Sequence, residues 1–549
     1  MRNGKFFLVV VTVLCAPHAS RAQDAELAAK VDRVVASVAA RSSAPGPGCT
    51  IGVSSDGRTV ERAFGMADIE LGIPLTPQSI LESGSVAKQF TSASIVLLAL
   101  DGKLALDDPV KKYIPELPDY GAPLTIRNLL NHTSGIRDWG SVLELTGYGR
   151  GARLISQSLA LDVITHQRGV DFTPGAEYSY SNSGYTLLAT IVERVSGQSL
   201  PTFTALRFFK PLGMTHSQWR DDYTRLVPGR AQAYSPSGVG AWKLDMPFMN
   251  VYGNGGLLTT TGDWLTWNAM LESRAMGSAL VDSLERQGVL LNGHRIAYAL
   301  GVEVTTYKGK RQVAHSGSTG GYSTHLTRFP ELKLSIAVLC NGSNSNPTAL
   351  ALRLVDEIAG PLPAPPAPDT VAMPVAELQK RVSLWRDEAT HLSAQTLIES
   401  GALRVAGGAL LHPLRDGSFL AAAGPIMWQF ELTADGKPVR ARRRGPDSDQ
   451  HFIAESPWVP SAAELEAFTG DWHSDEAEAS FTFAIENGQA MLKQRPATRE
   501  LLRPLYRDHF GPLQGGGSVI WFTRDANGVS TMHIGASRMR DMPFTRVSR

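Results

Sequence analysis

The sequence predicts an α+β protein: an antiparallel sheet flanked by helices, with two small antiparallel β-barrel-like units behind it. Three observations predict it. Strand-like runs stand at both ends of the first 360 residues, with long apolar helical segments between them. A stiff proline run, Pro361-Leu-Pro-Ala-Pro-Pro-Ala-Pro368, then divides the chain. Beyond it, one pattern of short alternating runs and turn residues occurs twice. At 549 residues, 43% of them hydrophobic, the chain is globular and too long for one domain. A formal net charge of +1 makes no electrostatic case for nucleic acid or an anionic membrane as partner.

Residues 1–22 read as a secretory signal peptide. Arg2 and Lys5 form the charged head, Phe6 to Ala16 the apolar core, and Ser20-Arg-Ala22 a small-x-small cleavage site before Gln23. That apolar core is too short to span a bilayer, which needs about 20 residues, so no stable membrane anchor is expected. The expectation is a secreted or periplasmic protein. After cleavage Cys49 and Cys340 remain. In an oxidising compartment they can pair; otherwise each is a small buried hydrophobe, and the sequence leaves both open. The 13 histidines are scattered, and no His-Glu-x-x-His or Cys-x-x-Cys occurs, so neither a metal nor another cofactor is expected.

Ala25 to Ala40 predicts a first helix, and Cys49–Val53 with Arg58–Phe64 a hairpin around Ser-Ser-Asp-Gly57. A long apolar helix follows from Ser85 to a glycine stop at Asp101-Gly102. At its head stands Ser85-Val-Ala-Lys88. Residues three apart share a helix face, so hydroxyl and amine point into the same space, where a desolvated lysine can take or relay the serine proton. The pattern alone is not specific, because a serine three residues before a lysine is expected by chance about once in a chain this long. Leu124 to Gly135 predicts a short helix capped by Thr125 and closed by Gly135. Pro174-Gly175 is a turn, and Tyr180-Ser-Asn182 is placed in a loop before a helix from Tyr185 to Val195. Beside a serine–lysine pair, Tyr180 is a candidate proton carrier and Asn182 a candidate holder of a substrate amide; otherwise both are turn and capping residues.

Asn254 to Gly262 leads into a helix around Trp264–Leu271. Tyr298–Thr305, Gln312–His315, Thr324–Phe329 and Leu334–Leu339 then read as strands of a sheet assembled from both ends of the domain. His315-Ser-Gly317 is expected to end one of them. Gly317, Gly320 and Gly321 let a ligand lie along that strand edge, and the N–H of Ser318 can donate to an oxyanion.

Taken jointly, Ser85-Val-Ala-Lys88, Tyr180-Ser-Asn182 and His315-Ser-Gly317 resemble the serine β-lactamase and penicillin-binding peptidase superfamily. The fit is to its branch of class C β-lactamases, D-alanyl-D-alanine carboxypeptidases and D-aminopeptidases. Leu129-Leu-Asn-His-Thr-Ser-Gly135, Pro211-Leu-Gly-Met214 and Gly255-Gly-Leu-Leu-Thr-Thr260 look familial too, so the resemblance covers roughly residues 25–360. It implies a β-lactamase-like catalytic domain over residues 23–360 and an acyl-enzyme on Ser85. Lys88 and Tyr180 would share proton transfer, with Tyr180 protonating the leaving group. The N–H groups of Ser85 and Ser318 would hold the oxyanion, and Asn182, His315 and Gly317 would bind substrate. It also implies neighbouring first and last strands, which would bring Cys49 near Cys340. One departure stands out. The class C β-lactamases carry lysine where this chain has His315, which is mostly neutral at pH 7, and that puts strong β-lactam hydrolysis in doubt.

Past a linker at 361–375, Ala376-Glu-Leu378 with Trp385 recurs as Ala463-Glu-Leu465 with Trp472. Leu410–Leu414 with Phe419 recurs as Leu501–Leu505 with Phe510, and Phe430 with Gly436 as Phe522 with Gly528. This predicts two barrel-like units, 376–455 and 456–549, and is similar to the D-aminopeptidases, whose catalytic domain is followed by two small barrels. In those enzymes a loop from the last barrel restricts the site; Gly515 to Gly517 is a candidate hairpin tip here. The expected function is an exported serine hydrolase acting on a small-molecule or peptide substrate, a D-amino-acid-directed peptidase before a β-lactamase or carboxylesterase. A non-catalytic sensor of cell-wall fragments is the alternative of another class. No Gly-x-Ser-x-Gly occurs, so no α/β-hydrolase nucleophile elbow is available.

Overall fold

In the computed structural model of the chain, segments from both ends of the first 360 residues meet in one six-stranded antiparallel sheet. Its strands are β1 (Cys49–Ser55), β2 (Arg58–Phe64), β3 (Glu303–Tyr307), β4 (Lys310–Thr319), β5 (Tyr322–Phe329) and β6 (Leu334–Cys340). Their spatial order is β3-β4-β5-β6-β1-β2. The structure describes residues 16–549 except 41–44, 150, 152, 364–367, 423, 496–497, 514–516, 527 and 548–549, with side chains from residue 23. Most of the predicted signal peptide, the middle of the proline run, and Gly515 and Gly516 of the candidate tip lie outside the described residues.

β1 runs against β6 in continuous register, Cys49 opposite Cys340 and Ser55 opposite Leu334. The two cysteines form a disulfide across that pair, with Cα atoms 4.0 Å apart. Period-two alternation sorts the remaining side chains. Ile51, Val53, Ile336 and Val338 bury against Val31 and Leu354 of the terminal helices α1 (Ala16–Ala39) and α5 (Pro347–Ala359). On the other face Ala337 and Leu339 join a larger core around α2 (Lys88–Leu100), α3 (Asn182–Ser196) and α4 (Thr261–Ser273). A Cβ at Gly52 would stand 3.0 Å from Leu265 and Thr261, so α4 lies directly on β1. Residues Lys88 to Leu98 are all buried, which marks α2 as the enclosed helix of the domain. Phe90 on α2 packs Phe208, Phe209, Trp264 and Trp267 at ring distances of 4.4–5.9 Å.

Four local expectations need correction. The strand expected over Tyr298–Thr305 begins only at Glu303, because Gly301 turns the chain with φ +82° and passes against the carbonyl of Lys88, where a Cβ would sit 2.9 Å away. The helix after Thr125 has the predicted cap, a reciprocal box with Asn128, but ends at Leu130; the chain then turns at His132, whose φ is +59°, well before Gly135. Asn182 is the first residue of α3 rather than part of the preceding loop. His315 does not end its strand, which runs on to Thr319.

The C-terminal third holds two eight-stranded antiparallel units that correspond strand for strand. The first spans Ser383–Asp387 to Asp449–Glu455; its first strand pairs with its last, and a bridge between Arg404 and Leu410 crosses the remaining seam. The second, Gly470–Ser474 to Met539–Arg546, is a closed barrel. Closure leaves no unpaired edge to aggregate. The repeated residues occupy equivalent places. Trp385 and Trp472 are fully buried on the first strands, Phe419 and Phe510 on the fifth, and Phe430 and Phe522 stand on the sixth. Val142 and Leu145 of the sheet-and-helix domain bury within the second barrel's apolar cluster, so the two units share a core.

Candidate active site

Ser85 lies on a 3-10 turn, Gly84–Ala87, that continues into α2 at Lys88. The α-helix expected to carry Ser85 in its first turn thus starts three residues later. Residues three apart eclipse on a 3-10 turn, and Lys88 Nζ stands 3.2 Å from Ser85 Oγ. The lysine is completely buried and also donates to Asn182 Oδ1 at 3.0 Å and to the carbonyl of Asn254. Asn182 in turn is fixed by its backbone N–H, which donates to Asp138 Oδ2 at 2.7 Å. Asp138 also caps the helix Trp139–Glu144 with its other oxygen.

Backbone packing sets the opposite wall. β3 pairs with β4 only from Lys310 to Ala314, so from His315 onward the outer edge of β4 is open toward the turn. A Cβ at Gly317 would lie 2.1 Å from the carbonyl oxygen of Ser83 and 2.9 Å from Ser85 N; one at Gly84 would lie 2.6 Å from Ser318 N. Only glycines permit that approach. It brings the N–H groups of Ser85 and Ser318 to the same end of a cavity of about 470 Å³ lined by Ser85, Tyr180, Asn182, His315, Gly317 and Ser318. Lys88 lies just beneath.

Tyr180 is enclosed by rings. His132 packs on it at 4.1 Å, with Tyr298 at 6.1 Å and His315 at 6.2 Å, while Lys88 Nζ is 4.8 Å from its centroid. Its hydroxyl makes no hydrogen bond of normal geometry. Burial pushes the phenol well above its usual range, and the Ser85 hydroxyl works against that shift. Ser181 N–H donates to His132 Nδ1 at 3.2 Å, and burial beside Lys88 holds His132 neutral.

His315 is neutral too. Its Nδ1 lies 2.6 Å from the carbonyl of Ser316, which can only accept, so Nδ1 carries the proton and Nε2 accepts from Tyr298 Oη at 3.0 Å. Burial, with Lys88 nearby, pulls it down to about 3. In the cavity wall, Arg220 grips Glu82 through Nε at 2.8 Å and Nη2 at 3.0 Å, both side chains buried. A buried bidentate pair holds rigidly the strand that leads into the Ser85 turn.

All seven residues singled out from the sequence thus line or adjoin one space. Sequence reasoning missed His132, Asp138, Glu82 with Arg220, Tyr298, the Asn254 carbonyl and Arg538. His132 stood inside the quoted Leu129–Gly135 stretch; the others carry no signal in sequence spacing. Among the described residues, the barrel segment that reaches the cavity is the turn after Ala536, carrying Ser537 and Arg538; Gly515 and Gly516 lie outside them.

Comparison with known proteins shows what the chain is similar to. A D-aminopeptidase of Gluconobacter oxydans is 26% identical over 543 residues, 94% of this chain and 99% of that protein. One of Cereibacter sphaeroides is 27% identical over 458 residues, 81% of this chain and 83% of that protein. The octameric penicillin-binding protein homologue from Pyrococcus abyssi shares the fold at a TM-score of 0.55 and 21% identity, over 94% of this chain and 99% of its own. The profile of the family named Beta-lactamase matches residues 31–360. With that match laid over the sheet, the Ser85 turn and the open edge of β4, the chain belongs to the β-lactamase family and is a serine hydrolase of that type.

Proposed function

We propose that this chain is an exported serine hydrolase that cleaves D-amino-acid peptides or amides through an acyl-enzyme on Ser85. The observation that carries it is the fully buried Lys88 Nζ 3.2 Å from Ser85 Oγ, beneath the ring of Tyr180. Ser85 Oγ attacks the substrate carbonyl as its proton passes to the neutral amine of Lys88, the form that desolvation favours. The N–H groups of Ser85 and Ser318 receive the oxyanion. Tyr180, its phenol kept protonated by burial, gives its proton to the leaving amine and is reprotonated from Lys88. Water then hydrolyses the acyl-enzyme by the reverse proton path.

Asn182 holds Lys88 through Oδ1, which leaves its amide N–H₂ for a substrate carbonyl. The open edge of β4 suits an extended peptide adding as a strand. D-configured substrates are supported by the D-aminopeptidases that align over most of the chain. Export is supported by the N-terminal pattern and by the Cys49–Cys340 disulfide, which belongs in an oxidising compartment. The neutral His315 supports a peptidase over a strong β-lactamase, since it offers no fixed cation.

Fluorophosphonate should label the wild-type chain at Ser85, and Ser85→Ala should abolish the label. Lys88→Ala and Tyr180→Phe should each lower kcat on D-alanine p-nitroanilide by about 10²–10⁴-fold. D- and L-alanine p-nitroanilide, nitrocefin and a p-nitrophenyl ester, compared side by side, separate the chemistries. Undiminished turnover by Ser85→Ala, or equal rates on the D and L anilides, would remove this reading.

A further inference from the structure

The second barrel places in the cavity a cation that the chemistry above does not use. Arg538, between strands Gly528–Ala536 and Met539–Arg546, lines the same space as Ser85 and Tyr180. Its hairpin is firmly seated. The Arg538 carbonyl accepts from Asp138 N–H at 2.9 Å, Arg540 N–H donates to Asp171 Oδ1 at 3.0 Å, and the Arg540 guanidinium donates to Glu177 Oε2 at 2.7 Å. The Arg538 guanidinium lies over the face of Tyr180, 4.9 Å from the ring centroid, with its side chain open to the cavity.

Among the described residues no carboxylate lies within salt-bridge range of it. Of the other ionisable groups at the cavity, Glu82, Arg220 and Lys88 are engaged. Glu82 holds Arg220, and Lys88 is bonded to Ser85, Asn182 and the Asn254 carbonyl. The carboxyl of Glu303 is pushed up by burial and by the charge of Asp447.

We propose that Arg538 is a specificity-determining residue that selects substrates with a carboxylate beside the scissile bond, first of all the α-carboxylate of the residue being released. The location argues for that source. If Tyr180 protonates the leaving nitrogen, the α-carboxylate of that residue is two bonds from the protonated atom, within reach of a guanidinium stacked on the same phenol. A guanidinium fork matches a carboxylate with two parallel hydrogen bonds, whereas a substrate ammonium there would meet like charge. The appended barrel thus reads the substrate's charge while the catalytic domain performs the chemistry. The inference rests on the roles given above to Ser85 and Tyr180.

The test measures binding apart from turnover. In full-length Ser85→Ala, calorimetry with N-acetyl-D-alanyl-D-alanine and its C-terminal amide should show the acid binding roughly tenfold more tightly. Arg538→Gln should erase that preference, Arg538→Lys should restore part of it, and Arg538→Glu should reverse it toward the amide. In the Ser85 enzyme, Arg538→Gln should raise KM for the acid roughly tenfold while changing kcat far less. A preference surviving Arg538→Gln overturns the proposal. So does an equal fall of kcat on acid and amide substrates, which would mean that Arg538 only tunes Tyr180. A preference for D-glutamyl over D-glutaminyl amides that vanishes in Arg538→Gln would support carboxylate selection and move its source to the acyl residue. Should the wild type cleave no D-peptide while the Arg538-dependent binding preference stands, the proposed reaction fails and the charge selection does not.

Discussion

Burial holds several histidines of this chain neutral: His132 falls well below its ordinary value, His315 to about 3, and His325 and His509 to about 4. In the unfolded chain each titrates near 6.5. Between those values the unfolded state binds more protons than the folded one, so stability must rise with pH across that window. It is fully present above pH 6.5 and is lost progressively as the pH falls toward 3–4. Urea midpoints should therefore drop steadily from pH 7 to pH 4.5, and the His325→Gln variant should show a shallower drop. A midpoint flat from pH 7 to pH 5 would contradict this account. The residue types Ser85, Lys88, Tyr180, Asn182 and His315 mark them as candidates in the sequence, and the fold brings them to one space. The supporting shell carries no such mark, because Asp138, Tyr298 and Arg538 are ordinary residues whose importance comes only from where the fold puts them.

Elements were legible where local pattern and global packing agree. The apolar run after Lys88, the Thr125 cap and the alternating strands β5 and β6 came through because each records its own burial. Residues 298–302 did not: their apolar run spells a strand, while Gly301 bends it against α2. The long reach of β4 past His315 was equally hidden, since a strand through Ser-Gly-Ser-Thr has weak propensity and is held by its pairing with Tyr322–His325. That weak stretch is the one that must touch the Ser85 turn. Gly317→Ala would drive a methyl to 2.1 Å from the carbonyl of Ser83, between backbones that cannot both retreat. The expected result is a fall in kcat/KM of about 10²-fold or more, since a displacement near 1 Å at a catalytic group costs that much. Gly320→Ala lies on the same strand turn but outside the cavity lining, so its cost should fall on stability first. If Gly317→Ala retained wild-type kcat/KM, the close approach of β4 to the turn would not matter to catalysis.

At the scale of the whole molecule, the repeat was readable because each barrel spends aromatic residues at matching places, but how the barrels meet the catalytic domain was not. That junction is built from single polar residues distant in sequence. Arg137 stands between Asp171 of its own domain, 3.5 Å away, and Glu476 of the second barrel, and all three side chains are nearly buried. Beside it Val142 and Leu145 enter the barrel's apolar cluster, and the next residue, Asp138, receives the Arg538 hairpin. Catalytic domain and second barrel should therefore unfold as one cooperative unit. Removing the guanidinium leaves two carboxylates enclosed without their cation, a change that typically costs about 3–5 kcal/mol. Burial already pushes the Asp171 carboxyl up, so lowering the pH lets the abandoned groups take protons and relieves part of the loss. Arg137→Ala should thus unfold earlier than wild type by more at pH 8 than at pH 5, and its calorimetric trace should separate the barrel from the catalytic domain. Adding Asp171→Asn and Glu476→Gln to Arg137→Met should recover much of the stability, because the cost lies in the stranded charges rather than in a net gain from the pair. An Arg137→Ala protein within about 1 kcal/mol of wild type at pH 8, melting in the wild-type pattern, would show that the two units are joined by apolar packing alone.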